Sequence, residues 1–312
     1  MIRKVLTYAN LSTFLALVTI ITFFGLFSPS HTFIGLRNLN ILMLKAAQFG
    51  IVGLGIGLLM ISGEFDLSVG SILLFSSLVF LKMYQAGLDL FISGLIAACT
   101  GMFVGLINGL ITVKARIPSF IATLGTMMFW RGFTYLFSPG TERGIDPSVS
   151  PLFSSIMTGQ IGIFPVQVFW FLAFALILGL ILHLHKFGNW VFVTGDNKVA
   201  ARAMGIKTDN VKTICFVIVG LLCAVSGIMQ DIRATAFFVP IGENWNFMTI
   251  AASVVGGVYL LGGRGSMTGI VFGILIISVI ENGLVNMRIS YFWSLIAYGL
   301  VIILPVLLIS KR

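Results

Sequence analysis

The apolar residues of this chain fall in long stretches that short polar segments interrupt. Backbone N–H and C=O groups must be satisfied internally inside a bilayer, so a stretch of about 20 mostly apolar residues predicts a spanning helix. The pattern predicts an all-α, polytopic transmembrane helical bundle of about ten spans, forming a single domain over residues 1–312. The predicted spans are 11–27, 39–62, 67–81, 90–111, 117–137, 165–185, 213–230, 247–261, 266–287 and 289–310.

Two of the predicted spans are too short to cross a bilayer. Segments 67–81 and 247–261 hold about fifteen residues each, which at 1.5 Å per residue falls short of a ~30 Å hydrocarbon core. Each is the second helix of a four-helix block, helices 2–5 and helices 7–10, and Asn-Gly-Leu recurs in both blocks at 108–110 and 282–284. The pattern predicts an inverted repeat, in which short helices at matching positions indicate a solute path.

Composition and charge favour a membrane protein. Only 9% of the residues are charged and 58% are hydrophobic, whereas a soluble domain carries roughly 25% charged residues. Most of the 19 lysines and arginines fall in segments that the positive-inside rule assigns to the cytoplasm, together with both termini. The net charge of +9 does not indicate nucleic-acid binding, because the basic residues lie between apolar stretches. Cys99, Cys215 and Cys223 lie within apolar stretches, without the spacing of a disulfide framework or zinc site.

Two connecting segments are long enough to suggest a role. The predicted outer segment, 138–164, is rich in Pro, Gly and Ser and is equally well explained as a solvated connector. The predicted inner segment, 186–212, carries five basic residues. Within it, 194–206 predicts a capped short helix that ends at a glycine and presents small alanines outward. Such a helix suits docking in a cleft of another protein, or lying on lipid headgroups.

Residues 63–71 form a polar turn with two carboxylates between apolar helices. Ionisable groups at such depth are costly and usually functional. Asp66 is expected to cap the short helix that follows and Glu64 to line a wet cavity, while a plain capped cytoplasmic turn is the alternative. The candidate residues for a solute path are Glu64, Asp66, Ser68 and Ser71 at the first short helix, and Asn246, Thr249 and Ser253 at the second.

Four segments closely resemble the ribose-type family of ABC transporter permeases, the branched-chain amino acid and sugar inner-membrane permease superfamily. They are SGEFDLSVGS at 62–71, PSFIATLG with a later Arg-Gly at 118–132, GDNKVAARAMGI at 195–206, and GGVYLLGGRGS at 256–266, in the family's order. Glu64 departs from the family pattern, which usually has an aliphatic residue there.

The resemblance implies the permease subunit of an ATP-driven importer for a small polar solute such as a sugar, in a bacterial inner membrane. It implies a second permease copy or close paralogue, an extracytoplasmic solute-binding protein, and separate ATP-hydrolysing subunits. The residues that it implies for ATPase docking are Gly195, Asn197, Ala200, Ala201, Gly205 and Ile206. No lysine follows a glycine, so a Walker A loop is absent from the sequence and ATP is expected to be used by the partner. No cofactor and no catalytic residue is expected.

The alternatives find less support in the sequence. An ion-coupled secondary transporter would need a buried proton or sodium site, usually a carboxylate or broken-helix carbonyls at the midplane, and no mid-span Asp or Glu is evident. A membrane-embedded enzyme would need paired catalytic groups, and His183 and His185 offer too few ligands for a metal site. Arg131 is expected to snorkel to the outer interface or to contact solute.

Overall fold

The structure is a computed structural model that describes residues 2–300 apart from 291 and 294. Its α-helices are α1 (Ile2–Phe27), α2 (Leu36–Ile61), α3 (Val69–Gln85), α4 (Leu90–Lys114), α5 (Ser119–Phe137), α6 (Pro151–Thr158), α7 (Val166–Leu184), α8 (Lys186–Asp196), α9 (Lys198–Ala203), α10 (Thr208–Ala234), α11 (Trp245–Val255) and α12 (Met267–Asn286). Residues 292, 293 and 295–300 are also helical. Much of the predicted span 289–310 lies outside the described residues.

The remaining regular structure is short. Two 3-10 helices occupy Pro29–Ile34 and Pro147–Val149. The two-residue strands are β1 (Glu142–Arg143), β2 (Gln160–Ile161), β3 (Phe164–Pro165) and β4 (Ala236–Phe237). Strand β1 pairs antiparallel with β4, and β2 with β3. The first pair fastens segment 138–164 to the chain that follows α10.

Five of the described helices, α2, α4, α7, α10 and α12, are long and apolar enough to cross a membrane. Shorter apolar helices are α3, α11 and the Leu11–Phe27 part of α1. These helices confirm the all-α class of a membrane protein. Helix α11 has only 11 residues, fewer than the predicted segment 247–261. It ends because the chain turns at Gly256 and at Gly257, which has a φ of +83°.

Helix α10 forms the centre of the bundle, and α4 packs closely along it. A side chain on Gly101 would strike the carbonyl oxygen of Gly220, and one on Gly105 would strike that of Phe216. Small residues four apart allow backbones to approach this closely. Gly101 and Gly105 therefore allow α4 to pack directly on the backbone of α10.

Glycines also allow α12 to pack closely on α11. A side chain on Gly273 would strike the carbonyl oxygen of Ala252, and one on Gly256 would strike that of Gly269. The helix contacts are therefore arranged in matching pairs: α4 packs on α10 and α3, while α12 packs on α2 and α11. Helices α2 and α10 contact each other between the two sets.

The predicted inner segment 186–212 is more ordered than a loop. It contains α8, α9 and the first turn of α10, which begins at Thr208 instead of the predicted 213. The extra turn carries polar side chains that find partners, since Asp209 pairs with Arg202 and Lys212 with Glu64. Among the cysteines, Cys99 is exposed on α4, whereas Cys215 and Cys223 are buried.

Candidate solute path and docking site

Asp66 lies at the centre of the turn between α2 and α3 and is fully buried. Its Oδ1 accepts hydrogen bonds from the Ser68 backbone N–H (2.7 Å) and from Ser68 Oγ (2.6 Å). Its Oδ2 accepts one from Asn108 Nδ2 of α4 (3.1 Å), which also donates to Ser68 Oγ (2.7 Å). The expectation that Asp66 caps α3 is wrong by two residues: Ser68 is the N-cap residue, and Asp66 instead closes the turn before it.

Helix α5 holds the same turn from the other side. The backbone N–H of Phe65 donates to Ser119 Oγ (3.1 Å), and that of Leu67 donates to Thr123 Oγ1 (3.1 Å). Both hydroxyls come from the PSFIATLG segment. Two of the four segments that carry the family resemblance therefore form one hydrogen-bonded unit, which fixes where α3 begins.

The path residues predicted on α3 and α11 are buried and approach each other at one methionine of α5. Ser71 Oγ donates to the Met127 carbonyl oxygen (2.9 Å), and Asn246 Nδ2 lies 3.9 Å from Met127 Sδ. Thr249 and Ser253 donate to backbone carbonyls of their own helix. The structure thus brings Ser71 and Asn246 to a common neighbour, while their contact with solute stays a prediction.

Arg131 is turned into the bundle beside the start of α3. A Cβ on Gly70 would lie 3.4 Å from Arg131 Nη2, and the main chains of Gly70 and Gly242 touch at the same place. The Nε of Arg131 is buried without a partner, and the guanidinium forms no ion pair or hydrogen bond with the described residues. An unpaired charge within a helical bundle is costly and indicates function. The predicted path set omitted this residue, for which either snorkelling to the outer interface or contact with solute was expected.

Glu64 forms a largely buried ion pair with Lys212 of α10, in which the side chains are 14% and 8% exposed. It also lines a cavity of about 1130 Å³. The acidic residue that departs from the family pattern therefore has a specific partner, and the pair ties the α2–α3 turn to the beginning of α10.

Helix α9 is the short helix predicted in the inner segment. The Asn197 side chain accepts hydrogen bonds from the N–H groups of Val199 and Ala200 (3.0 Å each), and Gly205 follows with φ +81°. Ala200 and Ala203 are exposed, but Ala201 is fully buried, so the expected outward alanine face holds for only two of the three. Val199 and Met204 are 79% and 63% exposed and give α9 an apolar outer face.

Three chain segments meet by direct backbone contact just before α9: the end of α8, the turn after α2 and the turn after α11. We call this contact the glycine junction. Gly195 leaves no room for a side chain against the carbonyl oxygen of Ile61, which also accepts a hydrogen bond from Gly263 N–H (2.8 Å). Gly63 and Gly262 pack against each other beside them. The segment leading to α9 thus touches both the turn that precedes α3 and the turn that follows α11.

Asp231 is a buried acid that the predicted spans left out, and it lies close to the C-terminal end of α10. The predicted span ended at 230, but α10 continues to Ala234, before a left-handed Thr235 with φ +54°. Asp231 is fully buried, and its Oδ2 accepts a hydrogen bond from Ser77 of α3. Its Oδ1 has no partner among the residues that the structure describes.

The two candidate metal-binding histidines instead contact the N-termini of helices. His183 Nε2 accepts a hydrogen bond from the N–H of Met267 (3.3 Å), and His185 Nδ1 accepts one from that of Phe187 (3.2 Å). Within the described ranges, no three His, Cys, Asp or Glu side chains lie together as metal ligands.

The long apolar helices, the polar groups enclosed between them and the exposed short helix α9 define a multi-pass helical membrane protein of the permease class. The chain belongs to the family of branched-chain amino acid transport system permease components, which it matches over residues 38–306. The resemblance to ribose-type permeases is thereby confirmed, and the chain is a permease subunit, not an enzyme.

Relatives from three organisms illustrate the family. The chain is 33% identical to the ribose import permease protein of Bacillus subtilis, over 97% of this chain and 93% of the relative. It is 32% identical to the xylose/arabinose import permease protein of Sulfolobus acidocaldarius, over 94% and 83% of the two chains. It is 31% identical to an autoinducer 2 import system permease protein of Photorhabdus luminescens, over 95% and 89%.

Proposed function

We propose that this chain is the membrane-spanning permease subunit of an ATP-binding-cassette importer that moves a small polar solute, most readily a sugar, into the cytoplasm by alternating access. The names of its relatives refer to ribose, xylose, arabinose and autoinducer 2. All of these relatives are import permeases, so the class of solute and the direction of transport rest on similarity over nearly the whole chain.

The glycine junction is the observation that carries the proposal. Helix α9 exposes apolar Val199 and Met204, as a docking element for a separate ATPase would, and its N-terminal side is fastened to two turns of the bundle. Those turns adjoin α3 and α11, the two short helices. A displacement of α9 would therefore reach both short helices through backbone contact, without a flexible side chain in between.

The proposed architecture is ten spans with both termini in the cytoplasm and an inverted repeat. The first copy is predicted spans 2–5, which correspond to α2–α5, and the second is predicted spans 7–10, which begin with α10, α11 and α12. Three observations support the repeat. The contacts of α4 with α10 match those of α12 with α2, and α3 packs on α4 as α11 packs on α12. Both Asn-Gly-Leu helices are followed by a left-handed arginine, Arg116 with φ +57° and Arg288 with φ +58°.

The proposed complex lies in the inner membrane of a bacterium. It contains a second permease copy or close paralogue, ATP-hydrolysing subunits that dock on α9, and an extracytoplasmic binding protein that delivers the solute. The proposed docking residues are Gly195, Asn197, Ala200, Ala201, Gly205 and Ile206. The proposed path residues are Glu64, Asp66, Ser68, Ser71, Asn246, Thr249 and Ser253. Arg131 joins the path set because its unpaired guanidinium lies among them.

The test is ATP-dependent uptake into proteoliposomes that contain this chain with the ATPase and binding protein encoded beside it. Radiolabelled ribose, xylose and arabinose are the first probes. A Val199→Asp, Met204→Asp variant should assemble in the membrane but lose ATP-dependent uptake, while Val149→Asp, at a similarly exposed site in segment 138–164, should retain it. Uptake without ATP under an ion gradient would overturn the proposal.

Asp231 favours one second candidate, an ion-coupled secondary transporter. A fully buried carboxyl with one unpaired oxygen is the kind of group that binds a proton or sodium ion in such proteins. The relatives argue against this candidate, and the same proteoliposomes distinguish the two, because a proton or sodium gradient without ATP would drive uptake only in the second case.

A further inference from the structure

A cavity of about 1130 Å³ opens where the C-terminal end of α4, the start of α5, α9 and the start of α10 meet. We call it the basic cavity. Its lining combines two kinds of side chain. The basic ones are Lys114, Arg116, Lys198 and Arg202. The aliphatic ones include Leu110, Val113, Ile117 and Ile214.

The positive charge of the basic cavity is only partly neutralised. Lys198 and Arg202 share the carboxylate of Asp209, at 3.3 and 2.7 Å. Glu64, the other acid in the lining, pairs with Lys212. Lys114 and Arg116 form no ion pair with any residue that the structure describes, and both are exposed. The cavity therefore presents two free cations to an anionic group.

The position of the basic cavity in the chain places it at a membrane interface. Helix α4 is apolar over 25 residues, and Lys114 is its last residue. Directly after Arg116, the exposed residues Ile117, Phe120 and Ile121 begin an apolar surface that runs along α5 from the cavity. Cations at a helix end with an adjoining apolar surface match the two parts of a phospholipid.

We infer that the basic cavity binds an anionic phospholipid. The phosphodiester oxygens accept charge-assisted hydrogen bonds from Lys114 and Arg116, and an acyl chain covers Ile117 and Phe120. An acidic peptide would satisfy the cations but leave the aliphatic side chains of the lining uncovered. The inference needs α4 and α5 to lie in a membrane, and is independent of which solute the proposed importer carries.

The experiment uses the full chain, purified in a neutral detergent and titrated with phosphatidylglycerol or phosphatidylcholine while its thermal unfolding is followed. Phosphatidylglycerol should raise the unfolding midpoint above the value in phosphatidylcholine. Lys114→Gln, Arg116→Gln should weaken the apparent phosphatidylglycerol affinity about tenfold or more, because both charges that attract the anionic headgroup are removed. Inorganic phosphate, the source without an acyl chain, should give little stabilisation.

Two control variants make the outcome decisive. Lys114→Arg, Arg116→Lys keeps both charges and should keep the phosphatidylglycerol effect, which separates charge from misfolding. Lys186→Gln removes an interfacial cation that stacks on Trp190 outside the cavity, and it should leave the effect unchanged. Equal stabilisation by both lipids, an equal loss in Lys186→Gln, or full stabilisation by phosphate alone would each overturn the inference. An effect reproduced only by an acidic peptide would assign the cavity to a protein partner instead.

Discussion

The main chain of Gly195 lies directly against the carbonyl oxygen of Ile61. The same oxygen accepts the 2.8 Å hydrogen bond from Gly263 N–H, so the end of α2, the end of α8 and the turn after α11 meet at one carbonyl group. A side chain at position 195 would separate them. The glycine is therefore needed for contact between chain segments and not for a special backbone conformation.

Gly195→Ala should disturb this junction. The added methyl group meets backbone atoms that cannot move away alone, and overpacking of this kind costs typically 1–3 kcal/mol. We expect a lower thermal unfolding midpoint and reduced ATP-dependent uptake. Gly140→Ala is the matched control, because no atom lies within 4 Å of a Cβ there. An unchanged midpoint together with unchanged uptake would show that the junction is not a coupling element.

Asn108→Ala should destabilise the turn between α2 and α3. It leaves Asp66 Oδ2 buried without its donor, a change that costs about 1–3 kcal/mol and more when the carboxyl is ionised. Thermal unfolding of the purified chain measures the effect. Asn210→Ala, at an exposed site, is the control and should change the midpoint little.

Asp66→Ala tests whether that turn takes part in transport. The chain should still assemble in the membrane, because Ser119 and Thr123 continue to hold the turn through its backbone. Uptake should fall, since α3 loses the interaction that fixes its first residues. Full uptake by the variant would remove the turn from the mechanism.

Arg131→Gln should reduce uptake about tenfold or more without preventing assembly, because the guanidinium has no ion pair to lose among the described residues. Arg131→Lys should recover part of the activity by restoring the charge. The initial rate against solute concentration separates a binding defect from a slower transport step. Arg233→Gln, at the exposed end of α10, is the control, and equal losses in both variants would contradict a specific role.

Asp231→Asn should leave ATP-dependent uptake within about twofold of the parent chain. The amide oxygen still accepts the hydrogen bond from Ser77, so the packing of α3 on α10 is preserved. The variant cannot release a proton. Loss of uptake in Asp231→Asn, together with gradient-driven uptake in the parent, would favour ion coupling over the proposed ATP coupling.

Acid pH should weaken the ion pair between Lys82 and Glu142 that holds segment 138–164 against α3. The hydrogen bond from Lys82 Nζ to Glu142 Oε2 (2.7 Å) holds the pKa of Glu142 below its usual range. A carboxyl whose pKa is lower in the folded than in the unfolded state stabilises the fold at pH values above its unfolded-state pKa, which is about 4.3 for Glu. This stabilisation is lost as the pH falls through the folded-state pKa. Protease cleavage in 138–164 should therefore rise below about pH 4.3, and Glu142→Gln should be cleaved similarly at neutral and acid pH. Glu243→Gln should behave like the parent chain.

The sequence predicts the class of fold well, because a spanning helix needs only an apolar stretch of sufficient length and does not depend on which helices pack against it. Boundaries are harder to predict, because polar residues at the end of a helix depend on distant partners. The residues at 208–212 suggested a loop, yet Asp209 and Lys212 are helical and paired with Arg202 and Glu64. Asp231 was missed for the same reason, since its partner Ser77 lies on another helix.

The candidate site was predicted as a set of residues but not as a set of contacts. Motifs identified the turn at Asp66, and its acidic residues stood out from their apolar surroundings. Nothing in local spacing indicated that Asn108, 42 residues further along the chain, would donate to that carboxylate. The position of Arg131 beside Gly70 likewise follows from the packing of α5 on α3.

Cys99 is the one exposed thiol among the three cysteines of the chain, while Cys215 and Cys223 lie buried in α10. The native sequence therefore carries a built-in attachment point for a single fluorescent or spin label, with no need for a cysteine-free background. Because α4 lies along α10, a probe at Cys99 paired with one introduced on α9 would report directly on how far the proposed docking helix moves relative to the body of the protein during a turnover cycle.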